Sequence, residues 1–274
     1  KRINSILVNL RMSPNSLKKW KLIPSFYNNL LDSFNEIFVQ SRIDLQRINE
    51  ITQKKIHFIG NLKLTPPNNN LKKFPLVNIN RDKNIKFLML TSTHLNEEII
   101  LLPVMKILLK KYKNLRLIIA PRHPERSKEI RLLCSTYNLE AQLHSEKNYS
   151  SNKILIVDSF GILSSYFKIS DIVFLGGSLI PLGGHNPIEP ALHQCAILTA
   201  SHIFNWQNIF DDMINEKACI KVNSIGDLEN NLINLLDNDE KIKNMKLNSF
   251  KFSQQNFVDT TTLDKITNNY LEIC

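Results

Sequence analysis

The sequence has little glycine, seven residues in 274, and little tryptophan, two residues. It has no run approaching the roughly 18 apolar residues that cross a bilayer as one helix, so a membrane-spanning helix is not expected. Its four cysteines, Cys134, Cys195, Cys219 and Cys274, stand far apart. That spacing excludes a zinc-ligand pattern, offers no disulfide framework and points to a reducing compartment. The aromatic residues are scattered over core-like positions and not interleaved with basic ones, which argues against an RNA-binding surface. What is present is a globular composition, 43% hydrophobic and 22% charged, enough for one large or two medium domains. Lys and Arg number 35 against 25 Asp and Glu, a net charge of +10. This excludes an acidic solvating chain and favours phosphates, nucleic acid or an anionic membrane face, without choosing among them. Lys1 is not an initiator Met, and the chain enters a strand-like segment at once. The expectation is a chain that begins partway through a protein.

Short apolar runs alternate with helical patterns, the signature of βαβ units and a parallel sheet. Strands are predicted at 5–10, 36–39 and 56–59, with helices at 16–21, 27–33 and 42–51. Thr65-Pro66-Pro67-Asn68-Asn69-Asn70 then reads as a linker. Beyond it, strands are predicted at 86–91, 115–120, 153–157, 171–175 and 196–199. Helices are predicted at 97–111, 124–137, 162–168, 187–194, 205–214, 227–236, 239–249 and 259–273. The expected organisation is the remainder of one Rossmann-like domain (1–65), a linker (66–84) and a complete second domain (85–258). A terminal helix (259–274) is expected to pack back on the first domain.

Five of the seven glycines, Gly161, Gly176, Gly177, Gly183 and Gly184, fall in one short region. Open α/β sheets bind ligands at the carboxyl ends of their strands, where this cluster is predicted to lie. Its centre is a buried strand, Gly176-Gly177-Ser178, then Gly183-Gly184-His185-Asn186-Pro187-Ile188-Glu189. Asn186 suits an N-cap and Pro187 the first helical position, so free N–H groups there would hold a phosphate, with Glu189 set for ribose hydroxyls. The competing reading is a capping box in which Glu189 serves only the Asn186 N–H; the double glycines favour the phosphate. After the strand 115–120, Pro121-Arg122-His123-Pro124-Glu125-Arg126 offers two guanidinium forks and an imidazole, against the plainer reading of a solvated basic turn. Ser92, Thr93 and His94 follow the strand 86–91. They read either as ligand contacts or as a cap on a helix whose first turn carries Glu97 and Glu98. His202 opens a further loop at the same edge. With His123 and His185, these residues complete the candidates for additional ligand contacts. Asp211 and Asp212 read as a solvated helix face, not a metal site.

At these motifs the sequence resembles the 3-deoxy-D-manno-octulosonic acid (Kdo) transferases, which move Kdo from CMP-Kdo to a lipid A precursor. The resemblance rests on Gly176-Gly177-Ser178-Leu179 and on Gly183 through Ala191. It extends to Leu7 through Ser13, Gln40-Ser41, Gly60 through Lys63, Ser92-Thr93-His94, Pro121 through Arg126, Asp158 through Gly161 and His202 through Asn205. It implies an α/β fold of the GT-B glycosyltransferase type, with CMP contacts at Pro121, Arg122, Phe160, Gly161, Asn186 and Glu189. The Gly183-Gly184 backbone adds to the cradle for the departing CMP. One departure is Ile162, where the family carries an acidic residue. The family's catalytic Glu and most of its acceptor-binding domain have no counterpart in 1–274, so no catalytic base is assigned in this chain. The resemblance further implies no metal or other cofactor, no nucleic-acid partner and peripheral attachment to the cytoplasmic side of the inner membrane. It leaves two functional expectations: a contribution to Kdo transfer, with a separately encoded first half as one arrangement, or a catalytically inactive CMP-binding remnant.

Overall fold

In the computed structural model the described residues are 4–60, 62, 84–146, 153–255 and 268. Most of the expected linker 66–84 and terminal helix 259–274 lies outside them. The chain divides into two compact units, the first with three of the described strands and the second with seven.

In the first unit, β1 (Ile6–Leu10), β2 (Glu36–Val39) and β3 (His57–Phe58) form a parallel sheet in the order β1-β2-β3. Helices α1 (Pro14–Trp20) and α2 (Pro24–Asp32) connect the first two strands, and α3 (Arg42–Asn49) the second and third. Met12, Tyr27, Leu31, Ile37, Val39 and Ile48 make the core. Helix starts follow the capping chemistry of the sequence. The Ser13 and Ser41 hydroxyls accept from the N–H groups of Ser16 and Asp44, and the buried Asp44 carboxylate accepts from the Met12 N–H.

The second unit is built on β4 (Lys86–Thr93), β5 (Leu115–Pro121), β6 (Ala141–Leu143), β7 (Ile154–Ile156), β8 (Ile172–Leu175), β9 (Ala196–Thr199) and β10 (Cys219–Lys221). All pairings are parallel, in the order β10-β9-β8-β4-β5-β7-β6. Helices α4 (Glu97–Lys111), α5 (Ser127–Thr136), α6 (Leu163–Ile169), α7 (Ile188–Leu192), α8 (Gln207–Asn215), α9 (Ile225–Leu236) and α10 (Asp239–Gln255) complete it. Sheets buried on both faces read as unbroken apolar runs, and Ile172-Val173-Phe174-Leu175 is fully buried. The order reverses beside β4: the chain first builds outward through β5, then returns to place β8 on the other side. A ligand crevice belongs at the carboxyl ends of strands at such a switch point.

Three differences from the sequence reading bear on the site. The strand expected at 86–91 runs on to Thr93 through a register shift at Ser92, whose φ of +54° is unusual for a non-glycine residue. The helix expected at 187–194 shrinks to five residues, Ile188–Leu192. Two three-residue strands, β6 and β10, were not expected; each lies at a sheet edge and is too short to show an apolar period. The described cysteines are free and buried, and desolvation raises the Cys134 thiol to about 11, which leaves it unreactive near neutrality.

Candidate functional site

The carboxyl ends of β4, β5, β7, β8 and β9 carry the candidate residues, and the first two are joined directly by the Arg122 N–H donating to the Thr93 carbonyl at 2.9 Å. His94 and His185 stack with ring centroids 5.1 Å apart and their Nε2 atoms 2.8 Å apart, so one nitrogen donates and the other accepts. The His123 ring meets His94 edge-on at 6.1 Å. Gly177, with φ of +65°, lies under His185: a Cβ there would sit 3.1 Å from the ring. Desolvation, with His94 and Arg122 nearby, lowers the His185 pKa from 6.5 to about 4. Desolvation also lowers His94, against the opposing charge of Glu97. Both rings are therefore neutral at pH 7.

This shift has a measurable consequence. Between about 4 and 6.5 the unfolded chain binds a proton at His185 and the folded one does not. Stability therefore rises with pH across that window and is lost as pH falls through it. His185→Asn is expected to flatten the urea-midpoint profile between those limits relative to the parent; superimposable slopes would contradict the assignment.

The Arg122 guanidinium is exposed and forms no ion pair or hydrogen bond among the described residues. Arg126, expected as a second anion-binding fork, is instead committed to the fold. Its two terminal nitrogens grip Glu98 at 3.0 and 3.1 Å, Glu129 adds a further contact, and the Glu98 side chain is 1% exposed. The Thr93 hydroxyl donates to the same Glu98 carboxylate at 2.8 Å. Thr93 is therefore not a cap. Helix α4 starts from Asn96 in the left-handed region, with no side-chain cap bond.

The first glycine pair is also spoken for. Glu97, fully buried, accepts four backbone N–H groups, from His94, Gly177, Ser178 and Leu179, at 2.7 to 3.2 Å. The Gly177 and Ser178 amides therefore face this carboxylate and not a ligand. Gly176 is required by packing, since a Cβ would sit 2.5 Å from the Ser92 carbonyl oxygen. The second pair has a similar structural reason. A Cβ on Gly183 would fall 2.3 Å from Asn205 Nδ2, and the Gly184 N–H donates to the Gly177 carbonyl.

Around the second pair three backbone donors lack partners. Among the described residues, the N–H groups of Gly183, His185 and Asn186 have no partner within the chain. The Asn186 carboxamide oxygen accepts from the Ile188 N–H at 2.9 Å, a tight turn ahead of α7. The capping box is not formed: among the described residues no hydrogen bond reaches the half-buried Glu189 carboxyl, and desolvation raises its pKa. Phe160 is 76% exposed beside Gly161, whose φ is +80° and whose Cβ position is open. Neither Phe160 nor Glu189 touches the histidine cluster by a hydrogen bond or ring contact. His202 is half-buried and its N–H donates to the Ser178 carbonyl. Ser92 is half-buried, Pro121 is buried and His123 is exposed. No group of three or more His, Cys, Asp or Glu among the described residues is arranged to hold a metal.

Two structural residues escaped the sequence reading, Glu97 as a loop anchor and Glu98 as the partner of Arg126. Adjacent acids ahead of the apolar run Ile99-Ile100-Leu101-Leu102 were the available signal, because both lie at the buried end of the helix.

A parallel α/β unit whose switch-point loops carry amides and a guanidinium without partners among the described residues has the architecture of a GT-B glycosyltransferase. Residues 1–65 match the family model for 3-deoxy-D-manno-octulosonic-acid transferase. A 3-deoxy-D-manno-octulosonic acid transferase of Rickettsia bellii is 34% identical over 278 aligned positions, covering 100% of this chain and 65% of that protein. The crystal structure of the C-terminal CMP-Kdo binding domain of WaaA from Acinetobacter baumannii is 29% identical and superposes with a TM-score of 0.59. It covers 63% of this chain and 91% of that one. Anabaena HepE, solved with UDP and glucose, shares the fold at 13% identity and a TM-score of 0.54, covering 99% of this chain and 72% of that one. The chain is a homologue of 3-deoxy-D-manno-octulosonic acid transferases, aligned with them along its whole length. It spans 57 to 65% of the length of the first two curated relatives it matches.

Proposed function

We propose that the second unit binds CMP-Kdo, and that the chain serves transfer of Kdo from CMP-Kdo to a lipid A precursor. Supporting this are groups at the switch-point loops that have no partner among the described residues: the N–H groups of Gly183, His185 and Asn186, the Arg122 guanidinium and the Glu189 carboxyl. In this reading the phosphate lies over the open amides, Arg122 neutralises it, and Glu189 accepts from ribose hydroxyls. Phe160 and Gly161 border the cytosine. Pro121 shapes the floor, and Ser92, Thr93, His94, His123, His185 and His202 lie toward the sugar. In transfer, the acceptor hydroxyl gives its proton to a base, its oxygen bonds to the anomeric carbon, and the bond from that carbon to the phosphate oxygen breaks. CMP departs with the electron pair, and cationic and amide donors stabilise it. No metal enters this scheme. No residue of this chain is assigned as the base, which we place in a segment outside 1–274, and Ile162 leaves one donor contact of the family unmade. The acceptor is a lipid, so we place the reaction at the cytoplasmic face of the inner membrane. No described helix is long and apolar enough to cross it.

Arg122→Ala and Glu189→Ala should each weaken CMP binding by about 10- to 100-fold in calorimetry, the range of one charge-assisted contact. No described residue pairs with the Arg122 side chain, so its variant should melt with the parent. Unchanged affinity in both would remove the site. Joining the chain to the first domain of a relative should restore Kdo transfer. A fused, folded protein that binds CMP but transfers nothing would mark an inactive remnant.

A further inference from the structure

We infer that the second unit carries a ligand site apart from the switch-point loops, shaped for a small amphiphilic anion with an apolar body and a phosphate or carboxylate head. Strand β10 ends the seven-stranded sheet and pairs only with β9. The open edge of such a strand is ordinarily covered by a helix or loop. Here β10, the turn after α8, and helices α9 and α10 border a cavity of about 480 Å³. Small-molecule sites span roughly 300–1,000 Å³, so the volume suits one small ligand. A peptide is the poorer fit, because β10 has three residues and is a short template for an added strand.

The helix faces turned to the cavity set its chemistry. Lys241, Asn244, Met245 and Asn248 of α10 line it at the three- and four-residue spacing of one helix side. A helix over a sheet edge ordinarily presents an apolar stripe. In this one only Met245 is apolar, and Leu235 of α9 and Ile220 of β10 complete the apolar floor. The remaining positions offer carboxamide and ammonium groups to whatever lies on that floor.

Charge selects the ligand. Lys217, Lys221 and Lys241 border the cavity, and among the described residues no Asp or Glu does. The Lys241 ammonium donates to the Asn234 carboxamide oxygen at 2.6 Å, which satisfies a donor without neutralising the charge. The Lys217 and Lys221 ammonium groups have no partner among the described residues. Lys217 is nonetheless fixed at its backbone. It closes α8 with a φ of +56°, its N–H donates to the Ile214 carbonyl at 3.0 Å, and its own carbonyl accepts from the Asn248 carboxamide at 3.2 Å. An anionic head seated among the three ammonium groups gains from all of them, while their aliphatic stems and the floor hold the apolar body. A neutral apolar ligand leaves the charges unused, and a bare inorganic anion leaves the floor unused.

The cavity shares no lining residue with the switch-point loops, so this site stands whether or not CMP binds. Its test is calorimetry on the intact chain with octyl phosphate and with octanoate, each below its micelle concentration. At least one of the two is expected to bind with one equivalent, and inorganic phosphate and octanol should bind at least about tenfold more weakly. Lys217→Asn with Lys221→Gln keeps the left-handed turn, which Asn tolerates, and should cost the bound probe about tenfold. Asn234→Trp, from an exposed position on α9, fills the hollow and should abolish binding. Both variants should melt within a few degrees of the parent, and Arg122→Ala should leave the probe's affinity unchanged. Three results would each overturn the proposal: no binding of either probe by the parent, inorganic phosphate bound as tightly as octyl phosphate, or equal affinity in the parent and both cavity variants. So would a loss in Arg122→Ala alone, since that would place the probe at the nucleotide loops.

Discussion

Glu97→Ala should destabilise the second unit by about 4–6 kcal/mol, read as the shift in urea midpoint at constant slope. The residue makes no contact with solvent, and its carboxylate ties the end of β4 to the loop after β8 through four N–H groups. Leaving a buried donor unpaired costs about 1–3 kcal/mol, and the donors at Gly177 and Ser178 are both buried. Domains are stable by only about 5–15 kcal/mol, so this variant should sit near the limit of folding. Glu97→Gln supplies the second reading. Its carbonyl oxygen still accepts two N–H groups, but its amide nitrogen faces the other two, so about half the loss is expected. A midpoint unmoved by both substitutions would mean that the glycine loop holds its own shape.

Arg126→Met should cost about 3–5 kcal/mol, because it strands the Glu98 carboxylate, 1% exposed, without its cation. The Thr93 hydroxyl remains but cannot neutralise the charge. Replacing the partner as well, as Glu98→Leu with Arg126→Met, should recover much of the loss, since a packed apolar pair avoids the desolvation of both ions. CMP affinity should change little in the double variant. A double variant as unstable as the single one would argue that the pair holds the loop by geometry and not by charge.

The contrast between Arg122 and Arg126 shows what a linear motif leaves out. In the sequence both are basic residues of one proline-bracketed turn, equally suited to a phosphate. Four positions on, at the start of α5, Arg126 meets a glutamate 28 residues earlier, in the first turn of α4. Nothing local distinguishes it. The strands were legible for the opposite reason. Ile172–Leu175 and Ala196–Thr199 must be apolar on both faces, so burial is written directly into the residue types. Glycine was legible in place but not in cause. The cluster does mark the switch-point loops, yet at Gly176 and Gly183 the side chain is excluded by neighbouring protein, Ser92 and Asn205. The Asn186–Glu189 ambiguity resolved through hydrogen bonds that no spacing could rank: Asn186 serves the Ile188 N–H, and Glu189 serves no group among the described residues.

The most direct test of the account is a calorimetric titration of CMP into the folded chain. One equivalent of CMP binding with submillimolar affinity, and abolished together with the Arg122 and Glu189 side chains, is the predicted result. A well-folded sample that gives no heat at millimolar CMP would contradict it.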